Sequence, residues 1–167
     1  MKTMTIIVDT RERDTPDARR RWLSFGVPYE RQKLNFGDYS AKIMIDGEWI
    51  YYDRYIVIER KMSLDELAMC YTTERKRFER EFERAKEAGA KVYIVCENGS
   101  WEGAYGGRYR SRMTPQALTA SLHAWAARYD VTVYFCSPNT TGKLIRDILY
   151  REIKEDLSSG CFQDDEQ

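Results

Sequence analysis

The apolar positions fall first into a short β-branched run, Met-Thr-Ile-Ile-Val-Asp at residues 4–9, which predicts a buried strand whose carboxyl end opens onto a site. Thr15 then caps a helix with Pro16 at its first position and Gly26 at its end. Residues 29–34 read as a second strand. Two further runs, 39–45 and 48–52, face each other across Asp46-Gly47, a two-residue hairpin signal. Residues 55–59 predict another apolar strand, so strands dominate this half.

Beyond it the period changes. Ser63 caps a short helix reaching about residue 70, and the charged stretch 73–88 repeats Phe78, Phe82 and Ala85 at helical spacing. Residues 91–96 predict a buried strand parallel to the first, because a helix separates it from what precedes. Residues 98–113 hold four of the ten glycines and read as a long surface loop. A helix from Thr114-Pro115, a strand at 131–135 and a last helix from residue 139 to about 157 complete a pattern that is βα in its second half. The fold class is α/β, a mixed central sheet flanked by helices, with one domain over residues 1–157 and an acidic, disordered tail over 158–167.

Composition narrows the chemistry more than the fold. At 167 residues with 43% hydrophobic content, the chain has enough apolar mass for one core, and no run approaches the roughly 20 apolar residues of a membrane span. A soluble, intracellular protein is expected. Cys70, Cys96, Cys136 and Cys161 lack any CxxC spacing and read as reduced structural thiols. His123 is the only histidine, so a histidine-based or zinc site is set aside and any metal should be oxygen-bound. The formal charge of zero argues against a nucleic-acid partner, but Arg19-Arg20-Arg21 and Arg108-Tyr109-Arg110-Ser111-Arg112 are local basic runs.

The stretch from Phe36 to Asp65 carries the candidate chemistry. Asp38 stands at the mouth of one strand, and Glu59 and Lys61 at the end of a later one. Residues two apart on a strand share a face, so Glu59 and Lys61 point together and Arg60 points away. Two carboxylates that hold Mg²⁺ or Mn²⁺ beside an ammonium group suit metal-assisted phosphodiester hydrolysis. Alone, the spacing is weak, since charged residues make up 32% of the chain.

The company of these residues makes it specific. With Val8-Asp9-Thr10-Arg11-Glu12, Gly37-Asp38-Tyr39 and Glu59-Arg60-Lys61 followed by Asp65, the chain resembles the nuclease domain of the XPF-type structure-specific endonucleases over residues 4–155. The resemblance implies a restriction-endonuclease-like core and a Mg²⁺- or Mn²⁺-dependent endonuclease acting on branched, flapped or forked DNA. It makes Asp38 and Glu59 the central metal ligands, Asp9 and Glu12 acids that complete or support the metal site, and Lys61 the residue that positions water. Arg11 and Arg60 become supporting arginines, and Asp65 a supporting acid whose competing role is helix capping. Arg77 and Arg84 match the family's helix arginines and, with Arg108, Arg110 and Arg112 of the glycine-rich stretch, are the candidate DNA contacts. The family's tandem helix-hairpin-helix module does not follow Leu157, so a stand-alone nuclease domain is expected. Two other readings stay open: a non-catalytic DNA-binding partner subunit, and a restriction-type nuclease with sequence preference. A homodimer is expected, because relatives pair through this domain and the last two helices carry more apolar residues than one sheet face needs.

Overall fold

The computed structural model describes residues 4–160. Its strands are β1 (Met4–Val8), β2 (Tyr29–Arg31), β3 (Tyr39–Ile45), β4 (Glu48–Tyr51), β5 (Ile56–Lys61), β6 (Lys91–Glu97) and β7 (Val131–Cys136). Its helices are α1 (Pro16–Leu23), α2 (Leu64–Tyr71), α3 (Arg75–Glu87), α4 (Trp101–Tyr105), α5 (Pro115–Tyr129) and α6 (Thr141–Ser159). One seven-stranded sheet takes the order β2-β1-β3-β5-β6-β7, with β4 added to β3. β5, β6 and β7 run parallel, whereas β3 is antiparallel to β1, β4 and β5. The expected mixed sheet with flanking helices is what forms.

The alternation of β5 decides which layer each side chain enters. Val57 joins a core made by α2, α3 and α5, in which Phe78, Phe82, Leu118, Leu122 and Trp125 are buried. Ile56 and Ile58 join the opposite core under α1 and α6, with Trp22, Phe25, Ile145 and Leu149. The same period therefore sends Glu59 and Lys61 to the α3 side and Arg60 to the α1 side.

β3 is shared between two partners. Its far half pairs with β4 from Lys42 to Ile45, while only Tyr39 pairs with β5, opposite Ile58. That single antiparallel pair brings Asp38 beside Glu59. Gly37 makes the approach possible: its φ is +73°, and a Cβ there would stand 2.9 Å from the Cβ of Val57.

Several expectations needed correction. The second strand stops at Arg31, because beyond it Leu34 turns its amide to Asp9 rather than to a neighbouring strand. The glycine-rich stretch contains helix α4, capped by the Ser100 hydroxyl on the Gly103 amide. α6 continues to Ser159, so residues 158 and 159, assigned to a disordered tail, are helical. Residues 161–167, with the rest of that tail and Cys161, lie outside the described residues. The apolar stripe of α5 (Leu118, Leu122, Trp125, Tyr129) is buried in the chain's own core, as are Ile145, Ile148, Leu149 and Ile153 of α6, whereas Tyr150 is exposed and Leu144 and Leu157 are half-buried. Cys70, Cys96 and Cys136 are free thiols, and burial pushes the first two up to about 12. No helix among the described residues is long and apolar enough to cross a membrane.

Candidate active site

The carboxyl end of β5 is where the sequence-singled residues meet. Backbone bonds fix the frame: the Asp38 amide donates to Ile58 O at 2.8 Å, and the Asp9 amide donates to Asp38 O at 2.8 Å. The Arg60 amide donates to Asp38 Oδ2 at 2.8 Å and orients that carboxylate. Glu59 is 8% exposed and Lys61 5%, and Lys61 Nζ donates to Glu59 Oε1 at 2.7 Å. The ammonium also lies 4.4 Å from the centre of the Phe78 ring, a contact that favours its charged form.

The electrostatics of this edge are unusual. Burial raises the Asp38 pKa well above the ordinary carboxylate value, and the neighbouring charges of Glu59 and Glu12 push it further. Burial likewise raises Glu59, with Lys61 opposing it. Lys61 is pulled down by burial, but the Glu59 charge and hydrogen bond, together with the charges of Cys70 and Asp38, leave the net shift upward. Two acids thus sit where both resist ionisation, with one cation between them and the protein interior.

The other predicted acids are each held by an arginine, and the Glu12 charge still reaches Asp38. Asp9 accepts from Arg11 Nε at 2.6 Å, from the Arg11 amide at 2.8 Å and from the Leu34 amide at 2.6 Å. Its pKa is raised by burial but brought below the usual value by those bonds. Glu12 Oε2 accepts from Arg21 at 3.0 Å and from the Tyr39 hydroxyl at 2.9 Å. Arg60 turns to the α1 side and forms a two-pronged pair with Glu97 at 3.0 and 2.7 Å. Glu97 also accepts from the Thr141 hydroxyl at 2.7 Å, and Arg21 Nη1 stands 4.0 Å from it. Burial pushes Glu97 up, and its bonds to Arg60 and Thr141 bring it below the ordinary value.

Asp65 neither reaches the carboxylate pair nor caps its own helix, which Ser63 does. Its Oδ1 accepts from the Arg110 and Ser111 amides, both at 2.7 Å. Of the candidate DNA contacts, Arg77 pairs with Glu74 at 2.8 Å and Arg84 is exposed on α3. Arg108, Arg110 and Arg112 are exposed on the segment that Asp65 holds.

Two functional candidates escaped the sequence reading. Glu97 ends an apolar strand and looks like an ordinary polar terminus until the fold sets it against two arginines. Glu81 flanks the buried stripe of α3 and lines a narrow cavity with Gly37, Glu59 and Phe82. It forms no hydrogen bond or ion pair among the described residues, and its charge acts on both Glu59 and Arg11. Its i−3 and i+4 neighbours Phe78 and Ala85 are both core, a signal that could have marked it as facing inward.

Among the described residues, no three His, Cys, Asp or Glu side chains close into a metal cluster. The donor set nevertheless fits a hard cation, since Mg²⁺ is commonly held by one or two carboxylates with waters and substrate phosphates completing the shell. Asp38 and Glu59 are the two carboxylates that could supply those oxygens, and Glu81 lines the same narrow cavity as Glu59.

Comparison with known proteins gives a consistent picture. The family model of the ERCC4 domain matches residues 8–148. XPF from Aeropyrum pernix superposes with a TM-score of 0.61 at 24% identity, over 89% of this chain and 61% of that one. A second structure, XPF from Aeropyrum pernix in complex with DNA, gives 0.62 at 23% identity, over 90% of this chain and 66% of that one. The present chain spans less than two thirds of either protein, and at these identities the likeness is one of fold. Among curated proteins nothing matches.

Proposed function

The chain belongs to the ERCC4 domain family, a family of structure-specific DNA nucleases, and from that premise we propose that it is a metal-dependent endonuclease cutting phosphodiester bonds in branched, flapped or forked DNA. The observation that carries the reading is the charge balance at the end of β5. Asp9 is matched by Arg11, Glu12 by Arg21 and Glu59 by Lys61. Asp38 and Glu81 have no ion pair of their own among the described residues, only the more distant charges of Arg11 on both and of Lys61 on Asp38, and a structural ion-pair network would not leave two acids so weakly matched beside a buried third. A divalent cation would supply the counter-charge.

Asp38 and Glu59 would hold Mg²⁺ or Mn²⁺, which supplies Lewis acidity toward the phosphodiester and the attacking water. The Arg60 amide keeps Asp38 aimed at the edge rather than at Lys61. Lys61 is charged, shielded from solvent and supported by Phe78, and its ammonium can donate to water or to phosphate oxygens as charge builds on them. Asp9 and Glu12 act through their arginines, fixing the loop after β1 against β3. Arg77 and Arg84 extend the site along α3 toward the DNA backbone. Pairing of two copies, which the resemblance implies, would have to use a surface other than the buried stripe of α5.

Cleavage of a panel of flap, fork, nicked and four-way DNAs in Mg²⁺ or Mn²⁺, wild type beside Glu59→Gln, tests this reading. Cleavage of branched substrates by wild type alone is expected. Equal cleavage by both proteins, or none by wild type across the panel in either metal, would overturn it.

A further inference from the structure

Residues 107–113 form a strap on the α2 edge of the molecule, and their exposure alternates. Arg108, Arg110 and Arg112 are exposed, whereas Gly107, Tyr109, Ser111 and Met113 are half-buried. The buried positions anchor it: Tyr109 and Met113 pack against the α5 core, and the Tyr109 hydroxyl donates to Met113 O at 2.9 Å. Tyr109 is thus a structural tyrosine rather than a platform for bases, and Tyr105 is engaged with His123 at 2.9 Å.

The arginines differ from the paired arginines of this surface and share their lack of an ion pair among the described residues with Arg13, Arg54, Arg80 and Arg84, but only here do three such residues fall on one short segment. In the run Arg19-Arg20-Arg21, each side chain has its own carboxylate: Asp14, Asp17 and Glu12. Arg75, Arg77, Arg146 and Arg151 are paired as well. Arg108, Arg110 and Arg112 have no ion pair among the described residues. The one acid that touches their strap, Asp65, binds backbone amides and leaves the guanidinium groups free.

That clasp ties the strap to the catalytic strand. Asp65 stands in the first turn of α2, four residues after Lys61. Asn98 donates to Met62 O at 3.1 Å, within the short link from β5 to α2. Gly99 lies against Leu64, where a Cβ would come within 3.1 Å of Leu64 Cγ. The whole segment therefore rests on the start of α2.

Resting on the nuclease reading above, we infer that the strap is a DNA-backbone contact arm and that Asp65 is its positioning residue, setting the distance between the bound phosphates and the carboxylate edge. Three guanidinium groups without ion pairs on one short segment anchored by Tyr109, Met113 and Asp65 suit a run of phosphates, which they contact without reading sequence. Asp65 contributes by immobilising the backbone that bears them, at a fixed offset from Lys61.

The sign of one substitution separates this from simple electrostatics. Removing a carboxylate beside a DNA-binding surface should strengthen binding if charge alone matters; removing the clasp should weaken it. The test is fluorescence anisotropy with a labelled flap DNA in EDTA over a salt series, so that no cleavage or metal enters. Asp65→Ala should bind several-fold more weakly with a shallower salt slope, and Asp65→Asn, which keeps an amide oxygen able to accept both N–H groups, should restore most of the affinity. Replacing Arg108, Arg110 and Arg112 together by alanine should flatten the slope by about one unit per lost phosphate contact. This triple variant alters only exposed side chains, so it keeps the strap testable should Asp65→Ala misfold. Binding by Asp65→Ala as tight as wild type or tighter would overturn the clasp, and an unchanged slope in the triple variant would overturn the arm. Either result with Glu59→Gln still inactive would leave the nuclease reading standing. A cleaving Glu59→Gln with the strap effects intact would remove that reading alone.

Discussion

The two faces of the last turn of β5 carry the same residue types to opposite ends. On the α1 side, Arg60, Arg21, Glu97, Glu12, Thr141 and the Tyr39 hydroxyl close into a network in which each charge meets its counterpart at 3.0 Å or less in at least one bond. On the α3 side, of Asp38, Glu59 and Glu81 only Glu59 has an ion pair of its own among the described residues, with Lys61; the charges of Arg11 and Arg77 act on the three acids without pairing to them. The first face is built to be stable as it stands. The second is the cation site proposed above, and the contrast shows why burial and charge alone do not identify a site: both faces are buried and charged, but only on one do acids stand without an ion pair of their own.

The sharpest way to break the comparison is to remove one acid from each face. Glu59→Gln should lower cleavage of branched DNA by more than about 10³-fold while the thermal unfolding profile stays close to wild type. Glu97→Gln should do the reverse, leaving Arg60 and Arg21 without their shared partner at a cost of about 3 kcal/mol, or on the order of 10 °C in Tm. Similar stability for Glu97→Gln and wild type in calorimetry would mean that the α1 network is not the support described. Lys61→Met should slow the single-turnover rate by about 10²-fold without removing DNA binding; a wild-type rate would reduce the lysine to a partner for Glu59.

A smaller effect concerns stability without metal. The folded-state pKa of Asp38 lies above its unfolded value, so the native state holds the proton more tightly and stability falls as pH rises from the unfolded pKa through the folded one. The deficit grows as pH rises above the unfolded value and is complete only above the folded one. Asp38→Asn should therefore be more stable than wild type in EDTA at pH 7, by about 1 kcal/mol, and the difference should vanish at acid pH, below the unfolded carboxylate pKa. A lower Tm for Asp38→Asn at neutral pH would contradict the account of the edge.

Much of this was legible in the sequence for physical reasons. The period of two in β5 put Glu59 and Lys61 on one face and Arg60 on the other before any coordinates, whereas the close approach of Gly37 to Val57 that sets Asp38 beside them shows only in the fold. Glu97 and Glu81 were not legible, because their roles arise from contacts made across the fold: Glu97 with Arg60, 37 residues away, and Glu81 with Glu59 across the gap between α3 and β5. Asp65 suggested a helix cap, and only the packing of residues 98–113 on α2 reveals its partners 45 and 46 residues on. Helix α4 was hidden by its length of five residues and by the glycine within it.

The central claim, that the α3 face binds one divalent cation, is tested most directly by calorimetric titration of the DNA-free protein with Mn²⁺. Saturable binding to wild type is predicted, weakened at least about tenfold in Glu59→Gln and unchanged in Glu97→Gln. Equal Mn²⁺ affinity in wild type and Glu59→Gln would contradict it.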